Sequence, residues 1–279
     1  MANIRIVTDS ASDLPQDVAD RLNIDVVSLS VRFGEDEFTD RVDLTSDEFW
    51  AKCKASKTLP ETAAPSPGAF QLAYERALSD GCDGVLVIAL SEALSATHQS
   101  AMLAKNAVAE KIPVRVVDSQ AVSMAQGLLA IEVAEFAKTG ASLDDLEKLA
   151  LELTNKIGVV AMLDTLEHLQ KGGRVGGAKA LMGQVLSIKP LIELKDGIVS
   201  EAGRQRTKAK ALAAIADVAR ENAPLRRLAL MHGASDQVEA LTKLVSDILS
   251  EFPLLVTDIG PVVGTHGGPG VIALAWVRA

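Results

Sequence analysis

The chain has 279 residues, 48 % of them hydrophobic and 23 % charged, with a formal net charge of −9. That length and balance suit a soluble protein with two cores, and the negative charge argues against a nucleic-acid partner, whose affinity rests on neutralised phosphates. Aromatics at 3 % leave no base-stacking platform, and no apolar run approaches the ~20 residues that a membrane span needs.

The N-terminus enters a strand pattern at once (residues 4–8, IRIVT) and shows no signal-peptide core, so the chain reads as cytoplasmic. The run DSASDLP (9–15) ends that strand with capping and turn residues, and 15–22 reads as helix. A second strand is expected at 25–29, a turn at Gly34 within 31–38, and a short helix at 46–55. The three prolines of 58–67 (TLPETAAPSP) cannot continue a helix, whereas 68–79 can. GVLVIAL (84–90) is continuously apolar, as an interior parallel strand should be. A long helix is then expected from within 91–97 to about 110, a strand at 114–117, and helices at 123–138 and 143–155. Strand–helix alternation of this kind predicts a doubly wound parallel sheet, with ligands beyond the carboxyl ends of its strands. Three such ends carry hydroxyls or acids: Asp9 with Ser10, Ser91 with Ser95, and Asp118 with Ser119.

From about residue 158 the texture changes. A strand at 159–163 precedes a short helix ending in Lys171-Gly172-Gly173-Arg174, and a further helix is expected at 178–186. Residues 188–202 form a hairpin around Asp196-Gly197, the pair favoured by type I′ turns. Helices at 207–222 and 237–251 alternate with strands at 228–231 and 254–257. The fold class is therefore α/β with two domains: an N-terminal doubly wound, Rossmann-like sheet (1–156) and a C-terminal α+β sandwich (157–279). Between the strand at 254–257 and the apolar run 271–277 lies GPVVGTHGGPG (260–270). Five glycines and two prolines read as a loop that presents Thr265 and His266.

The common chemical signatures are missing: no GxGxxG after the first strand, no GxxxxGK[ST] and no GxSxG. The four histidines and two cysteines (Cys53, Cys82) fit no metal spacing, so no metal is expected and the cysteines read as reduced, buried thiols. Ser95 and His266 could meet as a hydrolase pair, although no acid is placed to orient the histidine and hydroxyls at helix starts are usually caps. Arg174 with its two glycines could bind an anion, or the turn could be a plain glycine C-cap. Arg204 belongs to a small basic cluster at a helix start, more often surface than site. Asp9, Asp13 and Asp118 could hold a cation but suit capping better. Thr62 is a weak signal alone.

In order along the chain, DSASDLP (9–15), TAAPSP (62–67), LSEALSATHQSA (90–101), VVDSQAVSMAQG (116–127), LEHLQKGGR (166–174), KPLIELKDG (189–197), GRQRT (203–207) and GPVVGTHGGPG (260–270) resemble the DegV family. These are bacterial fatty-acid-binding proteins that present acyl chains to a fatty acid kinase for phospholipid synthesis. The resemblance implies a non-enzymatic carrier with no cofactor, whose ligand is a long-chain fatty acid in a buried apolar tunnel and whose partners are the kinase's catalytic subunit and, transiently, the membrane. It implies that Thr62, Ser95 and His266 hold the carboxylate, with Arg174, Arg204 and Thr265 near the head group or facing the kinase. The chain departs from the family pattern at Ala63-Ala64, Ala96, His98, His168 and Ala125, which bears on pocket shape and chain selectivity. The alternative reading is a Ser/His hydrolase or acyltransferase acting on a lipid ester.

Overall fold

The computed structural model describes residues 1–181 and 188–279. In chain order the first half runs β1 (Ile4–Asp9), α1 (Gln16–Leu22), β2 (Ile24–Val27), β3 (Ser30–Phe33), β4 (Asp36–Thr39), α2 (Ser46–Ala55), β5 (Glu61–Ala63), α3 (Pro67–Ser79), β6 (Gly84–Ala89), α4 (Thr97–Val108), β7 (Val114–Asp118), α5 (Met124–Ala137) and α6 (Leu143–Thr154). The second half runs β8 (Ile157–Met162), α7 (Glu167–Lys171), β9 (Lys189–Lys195), β10 (Ile198–Gln205), α8 (Lys208–Glu221), β11 (Leu225–His232), α9 (Val238–Leu244), β12 (Leu255–Asp258), α10 (Pro261–Gly267) and β13 (Ile272–Arg278).

A four-stranded parallel sheet, order β2-β1-β6-β7, forms the first layer. Strand alternation sends Val7, Val85 and Val87 toward α3 and α4, and Ile6, Leu86 and Ile88 toward α1, α5 and α6. Both faces are covered, so the sheet is doubly wound, as expected. A six-stranded mixed sheet, order β10-β9-β8-β13-β11-β12, forms the other main layer, with α8 and α9 on one face.

Helix α5 lies between the two sheets. All eleven residues from Met124 to Ala134 are buried, and the helix touches β1 and β6 on one side and β8, β11 and β13 on the other. A helix with no polar stripe has to be covered all round. The sequence MAQGLLAIEVA meets that requirement, except for Gln126, which donates to Thr8, Asp9 and the Ile88 carbonyl, and Glu132, which pairs with Arg226 at 2.6 Å and with Arg227.

A third sheet, order β4-β3-β5, was not foreseen. Its strand β5 lies inside the proline-rich segment, where Thr62 pairs with Val31. Four expected elements also differ. Residues 91–96 form turns, and α4 starts only at Thr97. The helix expected at 237–251 ends at Leu244, because the chain turns back to bridge Ser250 to Leu225. Of the helix expected at 178–186, the described part is a 3-10 segment, Gly176–Leu181, and the remainder lies outside the described residues. Residues 261–267, read as loop, are helix α10. Pro261 occupies its first turn, where a missing N–H costs nothing, and Gly264 and Gly268 donate to the carbonyls four residues back. Gly264 is there for contact: a Cβ would sit 2.7 Å from Phe49 Cε1.

Candidate functional site

On the central strands β8, β13 and β11, the face of the six-stranded sheet turned toward α5 carries four alanines. Ala161, Ala229, Ala273 and Ala275 occupy it, while Val160, Leu228, Leu274 and Trp276 fill the opposite face. That face borders a hollow beyond the carboxyl ends of β1 and β6, where a doubly wound sheet ordinarily keeps its ligand site. It encloses about 890 Å³, part of it open at the mouth. The centre of a water molecule has only about 120 Å³ to move in, so the space is a narrow slot.

Eighteen of its twenty-five lining residues are apolar, all aliphatic, contributed by both halves of the chain: Leu29, Leu90 and Leu94 from the first, Ile192, Met231 and Val263 from the second. Among the described residues no Phe, Tyr or Trp ring lines it. Walls of that kind suit a flexible hydrocarbon and offer no plane for a stacked ring.

Polar groups line it too: Ser123 and Glu193, and a cluster around His266. Thr62 Oγ1 lies 2.9 Å from His266 Nε2, although 204 positions separate them in sequence. The small sheet and α10, which are in contact, bring the pair together. Arg174 reaches across the halves: its Nε donates to the Leu94 carbonyl at 3.1 Å and its Nη1 to Gly172 O at 2.6 Å. Ser95 follows Leu94 directly, and its Oγ lies 2.9 Å from Thr97 Oγ1 while accepting the Thr97 N–H that opens α4. Thr62, Ser95, Arg174 and His266 all line the one cavity.

His266 is neutral at physiological pH. Burial pushes its pKa down to about 4, helped by the nearby Arg174 guanidinium and by His168. Its Nδ1 has no hydrogen-bond partner among the described residues and rests on the Gly172 turn, where any Cβ would occupy its place. Gly172 is thus a site residue that motif reading passed over. Its place in KGGR was visible, but the close approach it permits was not. His168 holds the same helix from below, its Nδ1 3.0 Å from the Thr265 carbonyl.

Two expected site residues are not in the cluster. Thr265 is 3 % exposed and donates its hydroxyl to the Pro261 carbonyl inside its own helix. Arg204 is exposed on β10 and does not line the cavity. The acids at the strand ends are structural. Asp9 accepts from the Leu90 and Ala11 N–H groups and from Gln126. Asp118 accepts from Glu92 and Gln120. Cys82 is buried and Cys53 is half-buried, both free. Among the described residues no group of three or more His, Cys, Asp or Glu could hold a metal, and no helix is long and apolar enough to cross a membrane.

Fold and site together define an α/β protein with a largely aliphatic slot whose lining includes hydroxyl, imidazole and guanidinium groups. A family model described as "Uncharacterised protein, DegV family" matches residues 3–279, and the chain belongs to that family. It is 33 % identical over 279 residues to a DegV domain-containing protein of Listeria monocytogenes, covering 98 % of each chain. To Protein DegV of Bacillus subtilis it is 31 % identical over 282 residues, covering 98 % of this chain and 99 % of the relative. A solved structure from Thermus thermophilus, described as fatty acid binding of a DegV family protein, superposes with a TM-score of 0.91 at 35 % identity, covering 99 % of this chain and all of the other. A stearic acid-binding protein from Eubacterium ventriosum superposes with a TM-score of 0.89 at 27 % identity, covering 100 % and 98 %.

Proposed function

We propose that this protein binds a long-chain fatty acid in the aliphatic slot, holds its carboxylate at Thr62, Ser95 and His266, and presents it to a fatty acid kinase. The observation that carries this reading is the pairing of largely aliphatic walls with the cluster of Thr62, His266 and Arg174. Each buried methylene contributes about 0.8 kcal/mol before the cost of ordering the chain, so a long acyl tail supplies most of the affinity. The polar cluster fixes orientation. If the neutral imidazole donates its Nε2 proton to Thr62 Oγ1, the threonine hydroxyl keeps its own proton for a carboxylate oxygen. Arg174, held by the Leu94 and Gly172 carbonyls, lies near the head group on the side offered to the kinase. The fatty acids bound by the Thermus and Eubacterium relatives support the ligand class.

Presentation to a kinase rests on the family resemblance. It requires the carboxylate to face the mouth, with Arg174 and the exposed Arg204 on the docking side. A cytoplasmic location, passing membrane contact to exchange the lipid, and two domains spanning 1–156 and 157–279 belong to the same proposal. No observation favours the Ser95–His266 hydrolase: the described partner of Ser95 Oγ is Thr97, and no acid orients His266 Nδ1.

The test is to purify the chain with Ser95→Ala and His266→Ala substitutions and extract bound lipid. Both variants should fold and retain less fatty acid, whereas Arg174→Glu and Arg204→Glu should retain lipid and impair acyl-phosphate formation by the kinase. Full retention in Ser95→Ala and His266→Ala would defeat the head-group assignment. Equal losses of Arg174→Glu and Arg204→Glu in both assays would defeat presentation.

A further inference from the structure

Helix α10 brings Val262, Val263, His266 and Gly267 to the slot, and hydrogen bonds tie it to the first half of the chain at its two ends. At the far end the tie is Thr62 Oγ1 to His266 Nε2 at 2.9 Å. At the near end Asp13 Oδ1 accepts the N–H of Gly260, the residue that precedes the helix, at 2.9 Å. Among the described residues these are the two hydrogen bonds between the first half and residues 260–267. The first belongs to the head-group cluster. The second lies outside it, because Asp13 does not line the slot.

The other oxygen of Asp13 accepts from Ser123 Oγ at 2.6 Å. Ser123 lines the slot and stands directly before α5, and its N–H donates to the Ala11 carbonyl at 2.8 Å. Ala11 lines the slot as well. One carboxyl group therefore joins three segments of the slot wall: the turn after β1, the start of α5 and the start of α10. With a different donor on each oxygen, it is fixed in direction as well as in distance. The backbone shows what this join holds in place. Ser123 sits at φ 56° and ψ −148°, a region that favours glycine, and such a residue persists only where its neighbours over-determine it. For Ser123 those neighbours are Asp13 and the Ala11 carbonyl.

The remaining hydrogen bonds around α10 come from its own half. Ile259 donates to the His232 carbonyl at 2.7 Å, and His168 Nδ1 lies 3.0 Å from the Thr265 carbonyl. They seat the helix on the six-stranded sheet and leave its place against α5 and Thr62 to the ties at its two ends. A helix of this length spans about 10 Å and moves as one piece, so a shift at Gly260 is carried to His266. The close fit leaves little slack: a Cβ at Gly260 would lie 3.0 Å from Asp13 Oδ1.

We propose that Asp13 is a positioning residue for the head-group site, setting α10 against α5 so that His266 meets Thr62 at the slot. The identity of the ligand rests on the fatty-acid reading, whereas the effect on His266 does not. The experiment compares Asp13→Ala with Asp13→Asn in the full chain. One readout is displacement of a fluorescent fatty acid. The other is the imidazole ¹⁵N spectrum of His266 in ligand-free protein, assigned by its loss in His266→Ala. Alanine removes both acceptors, whereas asparagine restores the pair: its carbonyl oxygen accepts from Gly260 and its amide donates to Ser123 Oγ. Asp13→Ala should bind about tenfold more weakly per folded molecule and shift the His266 signals. Asp13→Asn should stay within about threefold of the wild type, with those signals in place. Circular dichroism reports folding. If Asp13→Ala does not fold, Gly260→Pro decides in its stead, because it removes the same N–H at a φ of −72° that proline adopts. A residue that serves stability alone would lower the melting temperature and leave affinity and the His266 signals unchanged, and that result overturns the proposal. Equal losses in Asp13→Ala and Asp13→Asn overturn it too. A wild type that binds no fatty acid would defeat the fatty-acid reading, and the His266 signals would then decide whether Asp13 positions the imidazole.

Discussion

The two faces of the six-stranded sheet are made from the same strands and do opposite things. Along β13, Ile272, Leu274 and Trp276 point to the α8 side, while Ala273, Ala275 and Val277 point toward α5. The first set is 0–5 % exposed and packs the helices tightly. On the second face Ala275 and Val277 are buried in the core around α5, and Ala273 is short enough to leave the slot open. A two-residue period can thus close one side of a sheet and hollow the other, without any opening of the two halves. In the proposed reading, specificity comes from the polar cluster and the hollow face sets how much hydrocarbon can be accommodated.

That contrast can be broken from either side. The largest expected effect is on the closed face: Leu274→Ala should destabilise the fold by about 2–5 kcal/mol in urea unfolding, with lipid per folded molecule unchanged. A loss below about 1 kcal/mol would show that this face is not the tightly packed one. On the hollow face, Ala273→Leu fills space that no protein atom occupies. It should change stability by no more than about 1–3 kcal/mol while sharply reducing co-purified fatty acid.

Asp13, bonded to Ser123 on the slot's lining, gives a pH prediction. Burial pushes the Asp13 carboxyl from 3.8 up to about 7, against its bonds from Ser123 and Gly260. The folded state therefore holds a proton that the unfolded state has released, so this contribution is complete below about pH 3.8 and is lost as pH rises through about 7. His266 acts in the opposite sense: depressed from 6.5 to about 4, it contributes fully above 6.5 and loses that contribution as pH falls through about 4. Asp13→Asn should remove roughly 1–3 kcal/mol of the decline between pH 4 and 7, a figure reduced because Asp13 is partly exposed. Melting curves across that range check it, and an unchanged slope would mean Asp13 is ionised throughout. The smallest effect is at the polar cluster. Thr62→Val should weaken displacement of a fluorescent fatty acid by roughly 0.5–1.5 kcal/mol and leave stability nearly unchanged.

Much of this architecture is written locally in the chain. GVLVIAL reads as an interior strand because every residue from Gly84 to Ala89 is buried, and Asp196-Gly197 reads as a hairpin because both residues adopt positive φ. The polar residues that line the one cavity, Thr62, Ser95, Arg174 and His266, were legible through ordered motifs that resemble a family. No local pattern places Thr62 beside His266. What failed to show was packing between distant segments. The glycines of 260–270 looked like turn residues, yet Gly264 serves to let α10 approach Phe49 and Trp50. Thr62 sits in a strand that the surrounding prolines concealed, because β5 is three residues long and pairs with β3 from one side only. Thr265 appeared to face open space as a loop residue, but once the segment is helical its hydroxyl turns back to Pro261.

Native mass spectrometry of the purified chain, alongside Ala273→Leu, tests the central claim most directly. The wild type should carry the added mass of a single long-chain fatty acid, and Ala273→Leu should fold cooperatively but run bare. Equal loading of the two proteins, or no lipid on either, would contradict the account.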